Sequence, residues 1–150
     1  MSFVTDPIAI RGEEEAARML EQKGFRVKEH NWRLGHLEID LIAESKTEVV
    51  FAEVKARSTM FGAIRPEEYV DEAKRHRMTV AGNAYMKMKK SDKSLRFDII
   101  GLLIDPDSME VTYRNHMENA FVPHQKTIHT GSYSGTWKWT RRTKTIRSKR

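Results

Sequence analysis

Three features of the sequence predict an α/β fold. A capped amphipathic helix opens the chain, a hairpin of alternating apolar and polar residues follows, and a nearly continuous apolar strand comes after a second helical stretch. The helix begins at Asp6-Pro7, an N-cap acceptor followed by Pro at the first helical position. Good helix formers run to about Lys23, and Gly24 supplies the stop. Ile10, Ala17 and Leu20, with Ala9 and Ala16, form its apolar stripe. Glu13 falls on or beside that stripe, whereas Glu14 and Glu15 point elsewhere.

Residues 25–32 read as a first strand. Residues 37–42, Leu-Glu-Ile-Asp-Leu-Ile, alternate with period two and read as a second. A polar turn at 44–47 leads into a third strand at 49–55, antiparallel to the second. Helical spacing covers 66–88, with Tyr69, Ala73, Val80, Ala81, Ala84 and Met88 on one broad face. Residues 96–104 are almost unbroken apolar sequence, which suits a strand buried on both faces. Asp105-Pro106-Asp107-Ser108 is a turn, and 111–115 a last strand.

The chain has 150 residues, of which 39% are hydrophobic, enough for one core. The absence of cysteine excludes a disulfide scaffold, a thiolate zinc site and a cysteine nucleophile. No apolar run approaches the ~18 residues of a membrane span. The first 15 residues hold no signal-peptide core. A cytoplasmic protein is expected. No G-x-x-x-x-G-K loop supports nucleotide hydrolysis. None of the six histidines forms a helical metal-ligand pair, so all read as surface or structural. Asp98, after Arg96-Phe97, reads as one half of a structural Arg–Asp contact.

The net charge of +6 is unevenly spread. Residues 123–150 carry eight of the 27 basic residues and no acid, so residues 1–122 carry 19 basic against 21 acidic residues, a net of −2. This divides the chain into a folded domain over 1–122 and a basic tail over 123–150, expected to be disordered because it has few aliphatic residues to bury. The tail reads either as a solubilising end or as a nucleic-acid arm. In the second reading its cations neutralise phosphates, and Trp137 and Trp139, beside Arg141 and Arg142, stack on unpaired bases.

Residues two apart in a strand share a face. Glu38 therefore shares one with Asp40, and Glu53 shares one with Lys55, Phe51 and Val49. If the turn pairs Ala43 with Glu48, Glu38 faces Glu53 and Asp40 faces Phe51. Carboxylates gathered in this way destabilise a sheet unless a cation neutralises them. A hard divalent cation such as Mg²⁺ does so with oxygen ligands. From the pattern alone, a solvated face with an ordinary ion pair stays equally open.

Asp40, twelve intervening residues, then Glu53-Val54-Lys55 is the spacing of the PD-(D/E)XK nucleases. The whole domain resembles the YraN family, bacterial proteins similar to archaeal Holliday junction resolvases. The resemblance runs over about residues 9–122. It rests on Gly12-Glu13, Asn31-x-Arg33, Glu38-Ile39-Asp40-Leu41-Ile42, Val50 to Arg57, Lys74, Ala81, Tyr85, Arg96-Phe97-Asp98 and Asn119-Ala120-Phe121. Leu37 stands where the family usually has Gly, and Ala52 where it usually has Val or a similar residue.

The resemblance implies a restriction-endonuclease-like core (αβββαβ) with a central mixed sheet flanked by helices. It also implies a metal-dependent endonuclease using Mg²⁺ or Mn²⁺, with DNA, including branched or recombination intermediates, expected as partner ahead of RNA. Asp40 and Glu53 would hold the metal, Lys55 would be the catalytic lysine, Glu13 an outer metal ligand or general base, and Glu38 an aid to the metal or to water. Arg33, Arg57 and Lys74 are candidate phosphate contacts, with solvated surface charge as the other reading. A homodimer is an open expectation by analogy with the resolvases. A non-catalytic nucleic-acid-binding or accessory protein that keeps the fold is the alternative function.

Overall fold

A computed structural model of the chain describes residues 6–61 and 65–122. The 123–150 tail, with Trp137, Trp139, Arg141 and Arg142, lies outside the described residues. The element order is α1 (Pro7–Gln22), β1 (Arg26–Leu34), β2 (Leu37–Glu44) and β3 (Glu48–Ser58), then 3₁₀ turns at Thr59–Phe61 and Pro66–Tyr69, then α2 (Glu72–Met88), β4 (Ser94–Ile104) and β5 (Val111–Met117). The expected α/β order therefore holds.

The strands form one sheet in the order β1-β2-β3-β4-β5. β3 and β4 are parallel, joined through α2, and the other neighbours are antiparallel. This mixed five-stranded sheet with two helices is consistent with a restriction-endonuclease-like core. α1 covers one face over Ala16, Leu20, Leu41, Ala43, Val50, Ala52, Ile100 and Leu102. The opposite face packs Ile42, Val49, Phe51 and Phe97 with Met78, Ala81, Tyr85 and Met86 of α2. β4 is buried on both faces from Phe97 onward, as its unbroken apolar sequence requires.

The termini of α1 match the sequence signals. Asp6 accepts a hydrogen bond from the Ile8 N–H at 3.0 Å, and Gly24 leaves the helix at φ +96°. The stripe matches at Ala16 and Leu20, both fully buried, and fails at its N-terminal end. Ile10 is 41% exposed, whereas Glu15, expected to point away, is 2% exposed. Glu15 is buried because arginines neutralise it. It accepts from Arg18, from Arg114 Nε of β5 at 2.7 Å, and from Arg11 Nη1 at 3.5 Å. The Arg18 hydrogen bond leads in lowering its pKa to about 2.

The second helical stretch is broken. A 3₁₀ turn ends at Tyr69, and Asp71 caps α2 by accepting from the Lys74 N–H at 2.9 Å. Tyr69, Ala73 and Met88 are exposed, and the buried face carries Met78, Ala81, Gly82, Tyr85 and Met86. Ala81 belongs to both faces, but the rest of the expected face misses because Met78, Gly82, Tyr85 and Met86, rather than the aliphatic residues, carry the buried side.

Asp98 is fully buried and ties β4 to β5. Arg96 donates to both its oxygens, at 2.9 and 2.8 Å, the Asn119 N–H donates at 3.0 Å, and His116 Nε2 lies 2.7 Å away. The expected Arg–Asp contact is present, and His116 has a structural place.

α1 can pack on β3 because Gly12 has no side chain. A Cβ there would stand 2.5 Å from Ala56 Cβ. Gly→Ala within a helix ordinarily gains about 1 kcal/mol. Here Gly12→Ala should instead cost about 1–3 kcal/mol through overpacking, measured as a lower urea midpoint with an unchanged slope.

Candidate active site

The site forms where two strands part. β2 and β3 are paired from Glu44↔Val49 to Leu41↔Ala52, where the ladder ends. Asp40 and Glu53 are the next residues outward. Ala43 pairs with Val50 rather than Glu48. The turn starts one residue later than the sequence suggests, with Ser45 Oγ accepting from the N–H groups of Thr47 and Glu48 at 3.2 and 3.1 Å. A two-residue shift leaves every side chain on its face but changes its neighbour. Glu53 therefore stands beside Asp40 instead of Glu38, and Asp40 beside Glu53 instead of Phe51.

Asp40 Oδ2 accepts from the Val54 N–H at 2.8 Å. The carboxylate so takes the place of the strand partner that this N–H lacks once the strands diverge. Glu53 is 5% exposed, and its Oε1 is buried without a hydrogen-bond partner. Two cations approach it: Lys74 Nζ stands 3.5 Å from Oε1, and Lys55 Nζ 3.8 Å from Oε2. Burial, then the negative charge of Asp40, raises the Glu53 pKa to about 7, against the lowering influence of both lysines. Burial likewise raises Asp40 despite its hydrogen bond to Val54 N–H.

Glu13 projects from α1 toward this pair. Its carboxyl is raised by burial and by the charges of Asp40 and Glu38, and Asn31 Nδ2 donates to its Oε1 at 3.3 Å. Glu38 sits farther out, ion-paired with Arg33 at 3.5 Å. Arg57 Nη1 donates to the Ala56 carbonyl at 2.9 Å. Asp40, Glu53, Lys55 and Lys74 thus come together, Glu13 joins through its charge, and Glu38 with Arg33 lies at the edge. Among the described residues, no three His, Asp or Glu side chains converge into a set that could hold a metal ion by themselves. Asp40 and Glu53 are the pair that could hold one. Asn31 carried no role in the sequence reading, although it opens the Asn31-x-Arg33 motif. Lys74 pairs with a carboxylate rather than lying on open surface.

Comparison with known proteins places the chain in a family. A profile of the uncharacterised protein family UPF0102 matches residues 12–102, which include Glu13, Asp40, Glu53, Lys55 and Lys74. The chain belongs to the UPF0102 family. A UPF0102 protein of Bacteroides thetaiotaomicron is 39% identical over 112 residues, covering 75% of this chain and 89% of that relative. One from Phocaeicola vulgatus is 38% identical over 113 residues, with 75% and 89% covered. One from Porphyromonas gingivalis is 36% identical over 111 residues, with 74% and 81% covered. UPF0102 is the family that the sequence motifs resemble. In this UPF0102 chain, no described helix is long and apolar enough to cross a membrane.

The raised Glu53 carboxyl has a sign that can be tested in chelator. The unfolded chain ionises near the ordinary value of 4.5 and the folded chain near 7. Between those values the folded state holds the extra proton, so metal-free stability falls as pH rises through that window. Thermal midpoints in EDTA should decline from pH 5 to pH 8, and Glu53→Gln should flatten the decline. A decline of equal depth in the variant would place the cause elsewhere.

Proposed function

We propose that this UPF0102 protein is a divalent-metal-dependent endonuclease of the PD-(D/E)XK type. It hydrolyses phosphodiester bonds in DNA, with branched or recombination intermediates among its candidate substrates. The observation that carries the proposal is the Asp40–Glu53 pair, held at a strand divergence with an orphaned buried oxygen and two lysines beside it. Proteins rarely bury two adjacent carboxylates unless a counter-charge or a proton relieves them. Mg²⁺ is usually held by one or two carboxylates, with water and substrate phosphate filling the other positions, so a pair suits it without a third protein ligand. Mn²⁺ suits the same oxygens.

When bound, the cation would polarise a phosphoryl oxygen and acidify a water. Asp40 and Glu53 would hold it. Lys55, with its ammonium on the same strand face, orients the attacking water and offsets charge developing on the phosphate. Glu13 acts from α1 as outer ligand or general base, and Glu38 positions water at the rim. Arg33, Arg57 and Lys74 supply positive charge for the phosphates that flank the cut. The basic tail, through Trp137, Trp139, Arg141 and Arg142, gives this reading a DNA-binding arm. Paired symmetric cuts would need a homodimer, and a DNA substrate is met in the cytoplasm.

One observation favours a second reading. Lys74 approaches the same Glu53 oxygen that lacks a hydrogen bond. A lysine that neutralises the pair permanently would leave a non-catalytic nucleic-acid-binding or accessory protein in DNA repair or uptake.

Mn²⁺ or Mg²⁺ at 100 times its dissociation constant should stabilise the chain by about 2.7 kcal/mol, and Asp40→Ala should abolish the gain. On a panel of single-stranded, duplex, flapped and four-way-junction DNA, the parent should cleave at least one substrate and Lys55→Ala none. Metal binding and cleavage both absent would favour the second reading. Equal cleavage by Lys55→Ala would remove the role given to that lysine.

A further inference from the structure

Asn31 breaks the regularity of β1. Its φ is +49°, in the left-handed region, although it lies within a strand. A non-glycine residue there is strained, and the strain persists only when other contacts require it. Asn is among the few side chains that tolerate the conformation. The register explains what the strain accomplishes. His30 pairs with Leu41 and Trp32 with Ile39, so Asn31 stands level with Asp40 on the neighbouring strand. Asn31, Asp40 and Glu53 thus occupy one row across β1, β2 and β3.

The Asn31 amide is divided between two tasks. Nδ2 donates to Glu13 Oε1 at 3.3 Å, joining β1 to α1. Oδ1 is buried without a hydrogen-bond partner. Asn31 and Glu53, which flank Asp40 in the row, therefore each keep an orphaned buried oxygen. A purely structural asparagine would satisfy both ends of its amide. That amide donates to a Glu13 carboxylate which burial and the charges of Asp40 and Glu38 disfavour where it stands.

We infer that Asn31 is a positioning residue of the cation site: its left-handed backbone aims the amide to hold Glu13 beside Asp40, and its buried carbonyl oxygen faces the water shell of a bound divalent cation. The inference rests on the proposed metal-dependent reading of the Asp40–Glu53 pair and adds a residue that the D…ExK spacing does not contain. Groups that orient metal-ligating side chains commonly affect metal affinity by 10- to 100-fold.

Asn31→Gly separates the two contributions, because glycine accepts φ +49° without strain and removes the amide. Mn²⁺ alone is the probe, titrated by calorimetry into the full chain, with thermal midpoints recorded in EDTA. The expected result is a midpoint in EDTA no lower than the parent's and a Mn²⁺ affinity about 10-fold or more weaker. In a double-mutant cycle, Asn31→Gly should add little to the loss caused by Glu13→Ala, since both remove the same contact. An unchanged affinity in Asn31→Gly overturns the inference. Additive losses with Glu13→Ala also overturn it, as does a midpoint in EDTA several degrees lower, which would assign the amide to the fold. A parent chain that binds no Mn²⁺ would instead bring down the metal-dependent reading, and the role of Asn31 with it.

Discussion

The strand divergence between β2 and β3 is the constraint on which the site depends. While two strands stay paired, each N–H has a partner and neighbouring acidic side chains are a liability. Beyond Leu41↔Ala52 the ladder stops, and the Asp40 carboxylate takes over the Val54 N–H. That one contact fixes Asp40, leaves Glu53 beside it, and sends β3 onward with Lys55 on the same face. Beyond this point β3 keeps its parallel partner, since its pairing with β4 runs unbroken from Glu48↔Ser94 to Ser58↔Ile104. Glu53 and Lys55 are therefore rigidly held although β2 no longer supports them.

The remaining buried acids follow a different logic. Glu15 and Asp98 are each surrounded by donors, three arginines for one, and an arginine, a backbone N–H and a histidine for the other. Burial alone would raise Asp98, but His116, Arg96 and the Asn119 N–H hold it below the ordinary range. Glu67, equally buried on the second 3₁₀ turn, accepts through Oε2 from Tyr113 Oη and Asn115 Nδ2 at 2.7 and 2.8 Å and is held low, although its Oε1 has no hydrogen-bond partner. Asp40 and Glu53 are raised instead. The contrast separates carboxylates whose donors outweigh burial from a pair that burial keeps raised despite the nearby lysines, and that pair lies where the strands part.

Much of this was legible in the sequence, for local reasons. The α1 caps, the alternation of β2 and the unbroken apolar run of β4 each depend on near neighbours, and each appears as expected. Asp40, Glu53 and Lys55 were found because their facing depends only on strand parity, which survived an error of two residues in register. The features that went unseen depend on distant contacts. Glu15 reads as solvent-facing until Arg114, 99 residues away, closes on it. The break before α2 shows in the sequence only as Val70-Asp71, and Met and Gly carry a buried face that a count of aliphatic residues overlooks. Asn31 had a signal, since it opens the Asn31-x-Arg33 motif, but its left-handed backbone depends on the strands around it.

The overall charge of +6 hides an acidic domain whose buried acids fall into these two kinds, and the functional weight rests on the raised pair. The most direct measurement is anomalous diffraction from crystals of the full chain soaked in Mn²⁺. The account predicts a peak within coordination distance of the Asp40 and Glu53 carboxylates, with Lys74 Nζ moved away from Glu53 Oε1. A site without a peak, with Lys74 still 3.5 Å from that oxygen, would contradict it.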